Sequence, residues 1–233
     1  CAGGPVSQSP EYHEFADQRV ILGVPNFWNV VSNLPFLIVG IVGLWAVRAD
    51  ALGESRRSLY AAYQLFFMGA ALIALGSSVY HLNPANATLL LDRLPMTISF
   101  MALFAIVVSE FIDNETGTRL LWPMVIAGPL SVVYWYWTEQ SGAGDLRPYA
   151  VVQFTPMLLI PLILIMFRKS GVAWIWGIVL TYAVAKALEH YDAVVYAVLG
   201  SMSGHSLKHG VAALGMLLLV GFIRRGDAAL IPR

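Results

Sequence analysis

The 233 residues would ordinarily make one domain or two small ones, but 58% of them are hydrophobic, only 12% are charged, and the mean hydropathy is +0.68. A soluble fold has too little interior to hide that much apolar surface, so composition alone indicates an integral membrane protein. Fourteen basic and fourteen acidic residues cancel, which leaves no basic field for nucleic acid, and the single cysteine, Cys1, excludes a disulfide framework, a Cys-based zinc knuckle and an internal thiol nucleophile.

The chain opens Cys-Ala-Gly-Gly without an initiator methionine, which fits either a lipid-bearing Cys1 after signal cleavage or a point within a longer chain. Residues 1–26 are polar, with Glu11, His13, Glu14, Asp17 and Arg19, and are expected to lie at the membrane interface or fold back under the bundle. Seven apolar runs of spanning length follow, at 27–48, 58–81, 94–112, 120–138, 148–167, 172–191 and 206–224. The expected fold is therefore an all-α, seven-transmembrane-helix bundle over 27–224, with a short tail at 225–233. Pro35, Pro129, Pro156 and Pro161 fall inside spans, where neighbouring helices tolerate kinks, and read as packing features.

Basic residues orient this bundle. Arg48, Arg56, Arg57, Arg119, Arg168, Lys169, Arg224, Arg225 and Arg233 fall at one end, against Arg19, Arg93, Arg147 and Lys208 at the other. The excess at the first end places the carboxyl terminus in the cytoplasm and the amino terminus outside.

Under that topology His81 closes the second span, Asp92 just precedes the third, and His205 and His209 open the seventh, all on the outer side. His205 and His209 stand four apart in Gly-His-Ser-Leu-Lys-His-Gly, so on a helix both imidazoles share one face, a spacing suited to zinc. His81 completes a three-histidine site with an open fourth position if the second and seventh helices are neighbours. Asp92 is then the carboxylate placed to orient a water and take its proton. Ser77, four residues before His81 and one turn deeper, is placed to donate to a substrate carbonyl or developing oxyanion, in preference to Ser78. The competing readings are structural polar packing at helix ends, pH sensing by the histidines, and transport.

A second polar group, Lys186, Glu189, His190 and Asp192, lies near the outer end of the sixth span. An i,i+3 pair of Lys186 and Glu189 costs less than two isolated charges, and the group reads as structural support or as a contact for a substrate headgroup. Glu110, near the inner end of the third span, is expected to reach the interface.

Taken in order, Ser77-x-x-x-His81, Asp92 and His205-x-x-x-His209 resemble the alkaline ceramidase family, within a wider group of seven-helix membrane hydrolases that includes adiponectin-receptor-like proteins. The stretch Asn26-Phe-Trp-Asn-Val-Val-Ser-Asn33 is similar to that family's first-helix signature, and the resemblance runs from about Asp17 to Arg224. It implies Zn2+ on His81, His205 and His209, an activated water assisted by Asp92, and Ser77 binding or polarising the amide. The implied reaction is hydrolysis of a membrane lipid amide, ceramide or another N-acyl lipid, to a fatty acid and a sphingoid-like amine. A phospholipase-like esterase, or a receptor or transporter without enzymatic activity, remains the alternative.

Animal members of the family also place a glutamate directly before the Phe-Trp-Asn-like stretch, among acidic residues around calcium; here Asn26 stands at that position, so calcium is not expected. Glu11, Glu14 and Asp17 are expected to face water instead. Asp17-Gln-Arg with Gly23-Val-Pro-Asn-Phe-Trp-Asn looks more like the bacterial members, which implies a bacterial inner membrane with the active site facing the periplasm.

Overall fold

The computed structural model describes residues 4–48 and 52–224, so Cys1 and the tail at 225–233 lie outside the described residues. The described chain is α-helical, with an isolated two-residue bridge between Ile21 and Val24 and no sheet among the described residues. Seven helical segments are long and apolar enough to cross a membrane: Phe27–Ala46, Arg56–Leu82, Asn86–Phe111, Asn114–Gln140, Arg147–Met166, Val172–His190 and Gly204–Arg224. Outward-facing Trp122, Leu130, Trp137, Leu158 and Leu180 are exposed, as lipid-facing side chains are. The protein is an integral membrane helical bundle.

The first span is broken into α1 (Phe27–Val31) and α2 (Leu34–Ala46). Pro35 in the first turn of α2 has no N–H to continue the ladder. Asn33 Nδ2 donates to the carbonyls of Asn29, at 2.8 Å, and Val30, at 3.3 Å, so the break is satisfied from within.

The remaining spans are α3 (Tyr60–Leu82), α4 (Asn86–Phe111), α5 (Asn114–Gln140), α6 (Arg147–Met166), α7 (Val172–His190) and α9 (Gly204–Arg224), with the short α8 (Asp192–Leu199) outside the bundle. They close into a ring in which α2, α3, α4, α5, α6, α7 and α9 follow one another and α9 packs back on α2. The last span thus becomes a neighbour of the first two.

α4 starts at Asn86, eight residues before the apolar run at 94. Asp92 and Arg93 are therefore inside the third span, not in front of it. The hydroxyl of Thr88 accepts from the Ala85 N–H at 3.2 Å and closes the helix start. Gly76 then sets how closely α3 meets this turn: a Cβ there would lie 2.1 Å from the carbonyl oxygen of Leu91 and 3.3 Å from the N of Asp92. Only glycine lets the two backbones approach so closely beside Asp92.

At the opposite end Glu110 is partly exposed beside the loop residue Lys169, and its carboxylate is paired. Its Oε1 accepts from Arg56 Nε at 2.7 Å and from the Tyr63 hydroxyl at 2.7 Å, and Lys169 Nζ donates to its backbone carbonyl at 3.2 Å. The second span thus supplies both partners of the carboxylate, and the loop before the sixth span caps its backbone carbonyl.

Candidate metal centre

The amino-terminal segment folds back over the end of the bundle that carries His81 and His205 and is tied to it along its length. The Leu146 N–H donates to the Val6 carbonyl at 2.8 Å, and the Ala16 N–H donates to Asp192 Oδ2 at 2.9 Å. His13 is bracketed by the Tyr80 hydroxyl and Asn86 Oδ1, each 3.0 Å from a ring nitrogen. Asp17 contradicts the expectation that it faces water: it is 1% exposed and held by a two-pronged pair with Arg19, at 2.8 Å and 2.7 Å. Those hydrogen bonds from Arg19 hold the Asp17 carboxyl below its ordinary value. Glu11 and Glu14 do face outward.

Beneath this strap His81, His205 and His209 meet. One ring nitrogen from each lies within 4.8 Å of the other two, and all three residues are buried. The ring centroids are 4.9, 5.1 and 5.2 Å apart. α3 delivers His81 from its last turn and α9 delivers the other two from its first turns, so the four-residue spacing places both on one face.

Each imidazole is fixed by its surroundings. Phe15 on the strap packs 4.7 Å from the rings of both His81 and His205 and closes the cluster from outside. Ser32 Oγ, at the break in the first span, is 2.8 Å from His209 Nδ1. Asp192 Oδ1 accepts from the backbone N–H of His205 at 2.6 Å, satisfying an orphan donor at the start of α9. Asn29, fully buried, takes the Ser206 hydroxyl at 2.6 Å and donates to the Asp17 carbonyl at 3.2 Å, while Asn26 Nδ2 donates to the His81 carbonyl at 2.8 Å. The strap, the broken first span and α9 are thus one hydrogen-bonded frame around the cluster.

Three imidazoles converging in a buried place suit a metal better than they suit one another. His81 Nδ1 is buried and has no hydrogen-bond partner among the described residues. Such an orphan lone pair or N–H costs about 1–3 kcal/mol unless something outside the chain takes it up. The donor set of three His nitrogens with one side open is that of a catalytic zinc site.

The cluster opens onto a cavity between the helices. Ser77, Asp92 and the three histidines line its polar end; Phe66, Met96, Leu103, Met157, Ile178 and Met216 line the remainder with apolar surface. Ser77 is 3% exposed and its hydroxyl faces the Asp92 carboxyl group. Ser78 instead turns toward α1, its hydroxyl 3.5 Å from the Val30 carbonyl.

Of the second polar group, Lys186 and Glu189 form the expected ion pair and both line the cavity. Lys208, which the sequence reading treats only as an outer basic residue, pairs with Glu189 as well. Asp192 serves the α9 start, and His190 is exposed and packs on Tyr191. The site residues not singled out from sequence are Phe15, Ser32, Arg93 and Lys208. Ser32 lies within the family-like stretch, and Arg93 and Lys208 were visible as cations beside Asp92 and His209; Phe15 carries no sequence signal of its own.

A sequence model of the family described as Ceramidase matches residues 19–223, which is nearly the whole chain. No curated protein matches it.

Proposed function

The chain belongs to the ceramidase family, and we propose that it cleaves ceramide or another N-acyl lipid at its amide bond, with zinc held by His81, His205 and His209. Family membership and the three-histidine cluster make it a metal-dependent hydrolase of a lipid amide. The observation that carries the residue assignment is the convergence of three buried imidazoles at the polar end of an otherwise apolar cavity.

Zinc bound there supplies Lewis acidity toward a carbonyl oxygen and makes water a stronger acid. The rest is the work of the chain. The apolar cavity takes acyl chains and sets the amide at its polar end. Asp92 accepts a proton from the attacking water and passes it to the departing amine. In the resting state Ser77 faces Asp92, a charged acceptor for its hydroxyl. Once Asp92 is protonated it is a weaker acceptor, so the Ser77 hydroxyl turns to the oxyanion as charge develops there. Proton uptake at one group thus releases the donor needed at the other.

The test is direct. Purified protein should convert an N-acyl lipid to fatty acid and amine, identified by mass spectrometry, lose that conversion on complete metal removal and regain it with added zinc. Unchanged hydrolysis in the metal-free protein rejects the assignment.

Ser32 is assigned to orient His209. With the His209 Nδ1 proton shared with Ser32 Oγ, Nε2 is left free for the metal. Ser32→Ala is expected to weaken zinc binding about 10–100-fold in a chelator competition. An unchanged affinity would make that hydrogen bond incidental.

The site is placed on the outer face, with the amino terminus outside and the carboxyl terminus in the cytoplasm. Arg93 and Lys208 sit in the cavity wall, so only Arg19 and Arg147 remain as outer loop cations, each paired to an aspartate. This strengthens the charge asymmetry behind the orientation. The bacterial-like pattern around Asp17 and Gly23–Asn29 supports a periplasmic setting.

A further inference from the structure

The polar end of the cavity holds more fixed positive charge than the hydrolysis of a neutral amide requires. Arg93, Lys186 and Lys208 line it, against the carboxylates of Asp92 and Glu189. The whole chain is charge-neutral, so the excess is local. Glu189 bridges both lysines and offsets one of them. Asp92 faces Ser77 and is attracted at longer range by Lys208 and Arg93, but no carboxylate lies within ion-pair distance of Arg93 among the described residues. Arg93 therefore carries its charge without a carboxylate in direct contact.

Arg93 is 5% exposed and caged by aromatic rings. Its guanidinium carbon is 4.4 Å from the Trp135 centroid, 4.6 Å from Tyr149 and 5.4 Å from Tyr12, and its NH2 donates to Gln8 Oε1 at 2.7 Å. The rings stabilise the cation and hold its plane still. They do not accept its remaining protons in the hydrogen-bonding plane: NH1 is buried and has no partner among the described residues. A buried charged donor left unmade is costly, and within a membrane bundle it marks a ligand position.

We propose that Arg93, with Lys186 and Lys208, forms an anion-binding subsite, and that the lipid amide this protein takes carries an anionic group, a phosphate or a carboxylate, on its headgroup. The inference rests on the hydrolase reading and narrows its substrate class. An anion here meets a preformed, dry donor and compensates the excess charge; a hydroxyl headgroup can accept from that donor but leaves the charge uncompensated.

The experiment measures equilibrium binding and amide cleavage separately, in zinc-loaded protein in neutral nanodiscs. The probes are three N-acyl lipids with identical chains whose headgroup ends in a hydroxyl, a phosphate monoester or a carboxylate. Binding is read as displacement of a fluorescent fatty acid. The wild type is expected to prefer an anionic lipid over the hydroxyl lipid about tenfold or more, and the anion with the larger ratio identifies the headgroup. That ratio should collapse toward one in Arg93→Gln and fall in Lys186→Met, which replaces a half-exposed side chain and keeps the test available if Arg93→Gln does not fold. A wild-type ratio near one, with amide still cleaved, overturns the subsite and leaves the hydrolase standing. A ratio untouched by either variant also overturns it. An anionic preference without cleavage of any probe keeps the subsite and removes the hydrolytic reading.

Discussion

His209→Ala is expected to lose both its zinc and its lipid-amide cleavage. Removing one of three imidazoles leaves His81 and His205, with Phe15 packed against both and no other carboxylate or thiolate in the described cluster to substitute. Two neutral nitrogens in a buried place do not hold zinc against water. The Lewis-acid contribution, several kcal/mol of charge stabilisation, goes with it, so cleavage should fall on the order of a thousandfold or more. Misfolding is separated from metal loss by thermal unfolding. Zinc should raise the melting temperature of the wild type in a concentration-dependent way, because it binds the folded state. The variant should unfold cooperatively but ignore added zinc. A variant that keeps one equivalent of zinc and cleaves lipid at the wild-type rate would move the metal elsewhere.

How far such a centre is legible in a sequence depends on how local its parts are. His205 and His209 were legible as a pair because an i,i+4 relation is a property of one helix. That His81 joins them depends on α9 packing back beside α2 and α3, which hydropathy does not encode; the ordered motif, through its family resemblance, supplied it. Asp92 and Arg93 were set outside the third span because a hydropathy window sees two charges and stops. The helix continues past them because Arg93 is received by Gln8, Tyr12, Trp135 and Tyr149, residues distant in sequence that no window includes. The same reason hides Phe15: a phenylalanine in a polar segment looks like a chance apolar residue until the strap folds over the histidines. The break at Ser32 and Asn33 was readable in principle from Pro35, but not that the break would present Ser32 to His209.

Asp92→Asn should separate proton transfer from metal binding, and its expected result is a protein that keeps its zinc and binds lipid but turns over about 10²–10⁴-fold more slowly. The substitution preserves size, and the Asn carbonyl can still accept from Ser77, so the cavity wall is little disturbed. The backbone at this turn is pinned under Gly76, which leaves no room for the side chain to be relocated by a helix shift. What is lost is a group able to take a proton from water and return it to the amine. Because Asp92 is assigned to the proton and not to holding the amide oxygen, substrate binding should survive, and the loss should appear in kcat with KM nearly unchanged. The contrast with His209→Ala is the informative part: one variant loses metal and catalysis together, the other catalysis alone. Wild-type kcat in Asp92→Asn would show that the proton leaves by another route. Glu189 is the remaining carboxylate lining the cavity, and since it is already bound to Lys186 and Lys208 it would have to break an ion pair to serve.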